Sequence, residues 1–192
     1  MLKAAIVLFA RQGYLRTTLA EVGREAGYTA GLVSHKFGSK EGLLKAVVSH
    51  ITQRFAQDQL GENLSTTEAT AAIESYIEIY LKEVTLREGP MRALYVIMGE
   101  AIGAVPDIRS QIAQLNTNAR NFLAEHIQRG VDQGAFSKET NPQAAAALII
   151  GALRGVVMQY LMDPQEFDIE RMRDVIRQSV LSGLRTANTA KK

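Results

Sequence analysis

Residues 9–44 read FARQGYLRTTLAEVGREAGYTAGLVSHKFGSKEGLL, and the capping residues and glycines inside this stretch decide the fold. Thr18 is placed to cap a helix, Glu21 follows three residues later, and Leu19, Val22 and Ala26 form an inward stripe that stops at Gly27. Thr29 can cap a shorter helix in which Ala30, Val33 and Phe37 keep helical spacing until Gly38. Ser39 then opens a further helix with Leu43, Leu44, Val47, Ile51 and Phe55. The link Gly27-Tyr28-Thr29 is short and contains glycine, as a helix-turn-helix requires. If Val33 and Phe37 point inward, Thr29, Ala30, Gly31, Ser34 and His35 are left to face a major groove, with Lys36 and Lys40 as flanking phosphate clamps.

Upstream, Leu2, Ala5, Ile6 and Phe9 share one face of a helix from about Leu2 to Gln12, which Gly13 is placed to end. Downstream, the polar stretch 61–67 is the first candidate module boundary, and Ser65 with Glu68 resembles a capping box. The next helix carries Ile73, Tyr76, Ile77, Tyr80, Leu81 and Val84 and is expected to end at Gly89-Pro90. A shorter helix is expected from Met91 to about Ala104. A long one follows Pro106, with Ile108, Ile112, Leu115, Ala119, Phe122 and His126 on one face, and closes at Gly130–Phe136. Asn141-Pro142 marks the start of an apolar helix and Asp163-Pro164 its end. A last helix spans roughly Asp168 to Leu184. Without alternating strand patterns, the reading is all-α with about nine helices. The division is an N-terminal helix-turn-helix domain at 1–50 and a helical body at 51–192.

The composition narrows the chemistry. Zero cysteines exclude disulfides, thiolate metal sites and a cysteine nucleophile, and the three histidines form no metal-binding pair. No metal or cofactor is expected. Residues 1–50 hold seven Lys/Arg against three Glu, net +4, whereas the remainder is net −2. A basic head on a mildly acidic body points to a polyanionic partner. The N-terminus does not read as a secretory leader, so a cytoplasmic protein is expected. Ala144 to Met162 is apolar except for Arg154 and Gln159. Arg154 at its centre would cost about 2.5–3.5 kcal/mol in a bilayer, so a buried soluble helix is the better reading.

Stretch 9–44 closely resembles the N-terminal domain of the TetR family of transcriptional regulators. The shared features are Phe9, Gly13-Tyr14, Thr17-Thr18, Ala26-Gly27, Gly31, Phe37, and Ser39-Lys40-Glu41 before Leu43-Leu44. The resemblance implies a homodimer with two DNA-binding heads, an operator in double-stranded DNA, and a helical body that senses a small-molecule effector and dimerises. It also implies a dimer bundle built from the last two helices, which makes Gly151, Gly155, Met172, Ile176 and Val180 interface candidates; the alternative for the glycines is internal packing. Three departures stand out. Ser34 replaces a common tyrosine, Lys36 replaces a common histidine, and relatives usually carry several residues, often basic, ahead of the first helix.

Arg16, Thr17 and Thr18 are expected to combine capping with phosphate contact. Tyr76, Tyr80, Tyr95, Met98, Glu100 and Phe122 are candidates for lining an effector pocket, with plain core as the alternative for the aromatics. The function this supports is a ligand-responsive dimeric repressor. The alternatives are an all-helical adaptor that lost DNA affinity, and a small-molecule enzyme, for which no phosphate loop, nucleophile elbow or metal cluster is present.

Overall fold

The computed structural model describes residues 1–60, 68–86, 88–103 and 106–185. Among the described residues there are nine helices and no strand: α1 (Leu2–Arg16), α2 (Leu19–Glu25), α3 (Ala30–Phe37), α4 (Lys40–Leu60), α5 (Ala69–Leu86), α6 (Glu88–Gly103), α7 (Pro106–Asp132), α8 (Pro142–Met162) and α9 (Ile169–Arg185).

Most helix starts follow from their caps. Thr18 Oγ1 accepts from Glu21 N at 3.2 Å while Glu21 Oε2 accepts from Thr18 N at 2.8 Å, a reciprocal box that satisfies two orphan amides. The hydrogen bond from the Thr18 amide is also the main reason the Glu21 carboxyl titrates below its usual range. Thr29 Oγ1 accepts from Leu32 N, Ser39 Oγ from Gly42 N, Asn141 Oδ1 from Ala144 N and Asp168 Oδ1 from Arg171 N. Gly38, at φ 75°, supplies the left-handed turn between α3 and α4.

Two boundaries differ from the sequence reading. Gly13 ends the regular body of α1, at φ 82° and ψ 165°, but one more helical turn follows before Thr17. Gly89-Pro90 does not end a helix; it lies in the first turn of α6, where a missing proline donor costs nothing because first-turn amides have no partner within the helix. The expected boundary at 61–67 and the Ser65 cap lie outside the described residues.

Packing divides the chain into two units that are not contiguous in sequence: Met1–Phe55 with Leu86–Leu115, and Ala56–Thr85 with Asn116–Lys192. A break at residue 50 follows chain order, but contacts attach α6 and the first part of α7 to the N-terminal helices. The first unit's core joins Ala5, Phe9, Val22, Val33, Leu43 and Leu44 to Ala93, Ile97, Ile108 and Ile112. Its most extensive helix pair is α1 with α6. Fully burying a side chain such as Phe9 or Ile97 contributes about 1.5–3 kcal/mol each.

In the second unit α8 packs on α9, and Ser137 N donates to Leu184 O at 2.9 Å. Arg173 reaches Glu78 at 3.2 Å, and Arg177 reaches Glu74 at 3.8 Å, linking α9 to α5. Exposed pairs of this kind guide register more than they stabilise. By length and composition α8 is long and apolar enough to cross a bilayer. Ala146, Ile149, Ile150, Leu153, Val156 and Val157 bury one face of it.

Candidate functional site

The helix-turn-helix is closed by backbone. Tyr28 N donates to Gly23 O at 2.8 Å, and Gly27 takes φ 74° to turn the chain into Thr29. A Cβ on Gly23 would stand 2.8 Å from Tyr28 O and 3.0–3.1 Å from Thr29 C and Ala30 N, so only glycine permits this approach. Val33 is buried and Phe37 packs half-buried on the core, which rotates the rest of α3 outward. Thr29, Ala30, Gly31, His35 and Lys36 are exposed and Ser34 is half-buried. Tyr28 and Leu32, which the sequence reading passed over, are also exposed beside them. Leu32 is adjacent to the inward Val33, so helical spacing alone marks it as outside that stripe.

The residues flanking α2 divide. Arg16 and Thr18 are exposed, with Arg16 Nε donating to Gln12 O at 2.9 Å. Thr17 is a correction: it is only 1% exposed, and its Oγ1 donates to Gly13 O at 2.7 Å. Its hydroxyl satisfies the carbonyl at the kink and is buried rather than presented to solvent. Lys40 differs from a free phosphate clamp as well. Its Nζ donates to Leu15 O at 2.9 Å and lies 4.4 Å from the Tyr14 ring centroid. Burial lowers its pKa from the usual lysine range, with Glu100 and Glu21 opposing the shift. Lys40 therefore ties the start of α4 to the end of α1.

Glu100 is a second correction. Its carboxylate accepts from Tyr14 N at 2.9 Å and from Leu15 N at 3.2 Å, so it clamps α6 to the two amides that follow the Gly13 kink. These bonds cross 86 and 85 residues of sequence, which no local pattern reveals. Met98 packs against the first unit's core, and Tyr95 lies half-buried on the same helix. Of the six effector candidates, Met98 and Glu100 are thus engaged in holding the first unit together.

The other aromatics meet inside the second unit. Tyr76 stacks with Tyr80 at 6.2 Å and with Phe122 at 5.7 Å between centroids, and Phe122 lies 4.5 Å from the His126 ring. His126 is buried, with Nδ1 2.9 Å from Phe122 O. The Tyr76 hydroxyl titrates well above its usual range, first because it is buried and then because Tyr80 is near; Arg154 opposes the shift. Arg154 Nη2 donates to Asn116 Oδ1 at 2.7 Å.

On α8, Gly151 and Gly155 are exposed, and a Cβ on either would meet open space. They line up at helical spacing with Ala144, Leu148, Met158 and Met162, of which Leu148 and Met162 are 73% and 78% exposed. On α9, Met172 and Val180 are half-buried, but Ile176 is only 5% exposed. Ile176 is a correction to the interface set, because its side chain is already buried within a single chain.

A helix-turn-helix with an outward α3, carried by a chain with a second helical unit, defines the class of DNA-binding regulators. The family model for bacterial regulatory proteins of the tetR family matches residues 1–47, and that for the C-terminal part of BetI-type transcriptional repressors matches residues 69–185. The chain belongs to the TetR family of transcriptional regulators, and is a ligand-responsive, sequence-specific DNA-binding protein. It is 20% identical over 184 residues to the fatty acid metabolism regulator protein of Bacillus subtilis (strain 168), covering 96% of this chain and 93% of that one. It is 41% identical over 51 residues to the regulator BetI of Paraburkholderia phymatum, 27% of this chain and 26% of that one. The fatty acid degradation regulator FadR from Bacillus halodurans shares the fold at a TM-score of 0.84 and 21% identity, over 96% and 94% of the two chains.

Proposed function

We propose that the protein is a cytoplasmic, non-enzymatic dimeric repressor that leaves its operator when a small-molecule effector binds. The observation that carries this is the outward face of α3, held by a buried Val33 and by the glycine-only approach at Gly23. Thr29, Ala30, Gly31, Ser34 and His35 meet base edges, while Lys36, Arg16 and Thr18 meet phosphates. Thr17 and Lys40 contribute by fixing the α1–α4 junction. Selection of bound fragments from genomic DNA, followed by salt titration, tests the reading. A palindrome with half-sites about 34–36 Å apart, or a multiple, is expected; no enrichment at low salt overturns it.

Within that face two roles separate. Lys36→Ala is expected to weaken binding to all DNA and to reduce the salt slope by about 0.9 for each head, about 1.8 for the dimer. His35→Ala is expected to cost about 1–3 kcal/mol at one base pair and to change sequence preference. Operator titrations against single-base variants at several salt concentrations distinguish them.

Dimerisation is assigned to the exposed stripe of α8, with Gly151 and Gly155 permitting close approach and Met172 and Val180 flanking from α9. Burying Leu148 or Met162 against a second copy contributes about 1.5–3 kcal/mol each. The double variant Leu148→Lys, Met162→Lys is therefore expected to sediment as a monomer and to lose cooperative operator binding. A dimer that persists removes this interface from the proposal.

The effector site is assigned to Tyr76, Tyr80 and Phe122 in the second unit. The effector acts through its different affinity for the DNA-competent and DNA-incompetent states, and a coupling of about 1–3 kcal/mol changes operator affinity about 5–150-fold.

A further inference from the structure

The face that α3 turns outward holds few groups able to hydrogen-bond a base. From Ala26 to His35 the chain has no Arg, Lys, Asn, Gln, Asp or Glu, the side chains that read guanine, adenine and cytosine edges in the major groove. Lys36, the first cation on α3, stands one residue before the helix ends, with Nζ 5.7 Å from the centroid of Phe37, a ring packed on the core. Thr29 Oγ1 is already engaged as the cap, accepting from Leu32 N at 3.2 Å, and Ser34 is half-buried. Leu32, by contrast, is 45% exposed in the first turn of α3, and recognition helices reach base edges with their N-terminal residues. Ala30 and Gly31 before it are exposed and small, so they allow a close approach of the helix. His35 follows Leu32 by three residues and shares its face. A lone exposed leucine is ordinary on a protein surface, but this one stands on the helix assigned to the groove.

We infer that Leu32 is a specificity-determining residue that reads the 5-methyl group of a thymine in each operator half-site, by apolar contact rather than by hydrogen bonds. Among the four bases thymine alone presents a methyl in the major groove, and closing it against Leu32 removes apolar surface of both partners from water. The exposed Arg16 and Lys36 supply the positive charge that holds this uncharged face against the duplex. The inference rests on the reading of α3 as the helix that enters the operator.

The probe is the duplex selected from genomic DNA, synthesised with thymine and with uracil at each thymine position in turn, and titrated with the full chain. Uracil keeps every hydrogen-bonding group of thymine and lacks only the methyl. One symmetric pair of thymines is expected to be sensitive: uracil there weakens binding about fourfold in one half-site and about tenfold or more in both, as burial of one methyl implies. Leu32→Ala is expected to bind the thymine and uracil duplexes equally at that position, with the melting temperature of the parent because the side chain is exposed. Leu32→Met, which keeps an apolar side chain, is expected to keep the preference. A change in DNA stiffness caused by the missing methyl would weaken parent and variant alike, so a uracil effect that persists in Leu32→Ala overturns the inference. Selective binding that no uracil substitution changes also overturns it, and leaves α3 as a recognition helix that reads by other contacts. Absence of any selected duplex overturns both the inference and the reading beneath it.

Discussion

Gly13→Ala is expected to destabilise the first unit by about 3–6 kcal/mol, enough to lower the melting temperature of the whole chain by roughly 10 °C or more. Two independent costs add. At φ 82° and ψ 165° the backbone occupies a region open essentially to glycine alone, and any other residue there costs about 1–3 kcal/mol. The new Cβ would also collide with Glu100 Oε1, displacing the carboxylate that holds Tyr14 N and Leu15 N. Hydrogen bonds to a charged group are worth about 1.5–3 kcal/mol, and the exposure of Leu15 keeps its share toward the low end. Against the ~5–15 kcal/mol that stabilises a typical domain, the sum is a large fraction. Thermal unfolding followed by circular dichroism measures it. Glu100→Ala isolates the hydrogen-bond part and is expected to lose about half as much. A Gly13→Ala protein as stable as the parent would show that neither the kink nor the clamp matters.

Operator affinity is expected to fall about tenfold or more in Gly23→Ala, with a smaller change in non-specific binding. The added methyl meets three backbone atoms of the α2–α3 turn, which cannot rotate away as a side-chain end can. Relief therefore comes from moving α3, and overpacking of this kind typically costs about 1–3 kcal/mol. Every 1.4 kcal/mol taken from specific binding is about tenfold in affinity. Phosphate contacts tolerate a small displacement better than base contacts, which need hydrogen-bond alignment. Gly99→Ala on α6, outside the face assigned to DNA, is the control: its Cβ would meet nothing within 4 Å, so α3 stays in place. Equal operator affinity in Gly23→Ala and the parent would refute the close-approach argument.

The helix starts at Thr18, Thr29, Ser39 and Asn141 were legible because a cap acts over three residues, within reach of a local reading. The inward and outward faces of α3 were legible for the same reason, since one helical period separates Val33 from Phe37. The Thr17 misassignment came from treating a Thr-Thr pair as equivalent. Thr18 caps outward, whereas Thr17 turns in to the Gly13 carbonyl, and only the kink decides which does which. Likewise, the periodicity of α9 named Ile176 as apolar, but did not say whether its own chain or a second copy covers it.

From the sequence alone came the helical class, the order of the helices, the helix-turn-helix and the basic bias of residues 1–50, all properties of spacing and composition. Tertiary structure alone brought α6 to α1, turned Glu100 from an effector candidate into a clamp, stacked Tyr76 with Phe122 across 46 residues, and required glycine at position 23. The physical reason is range. Capping and periodicity act within a turn or two of helix, whereas a hydrogen bond across 86 residues or a steric limit between two helices exists only after the chain has folded back on itself.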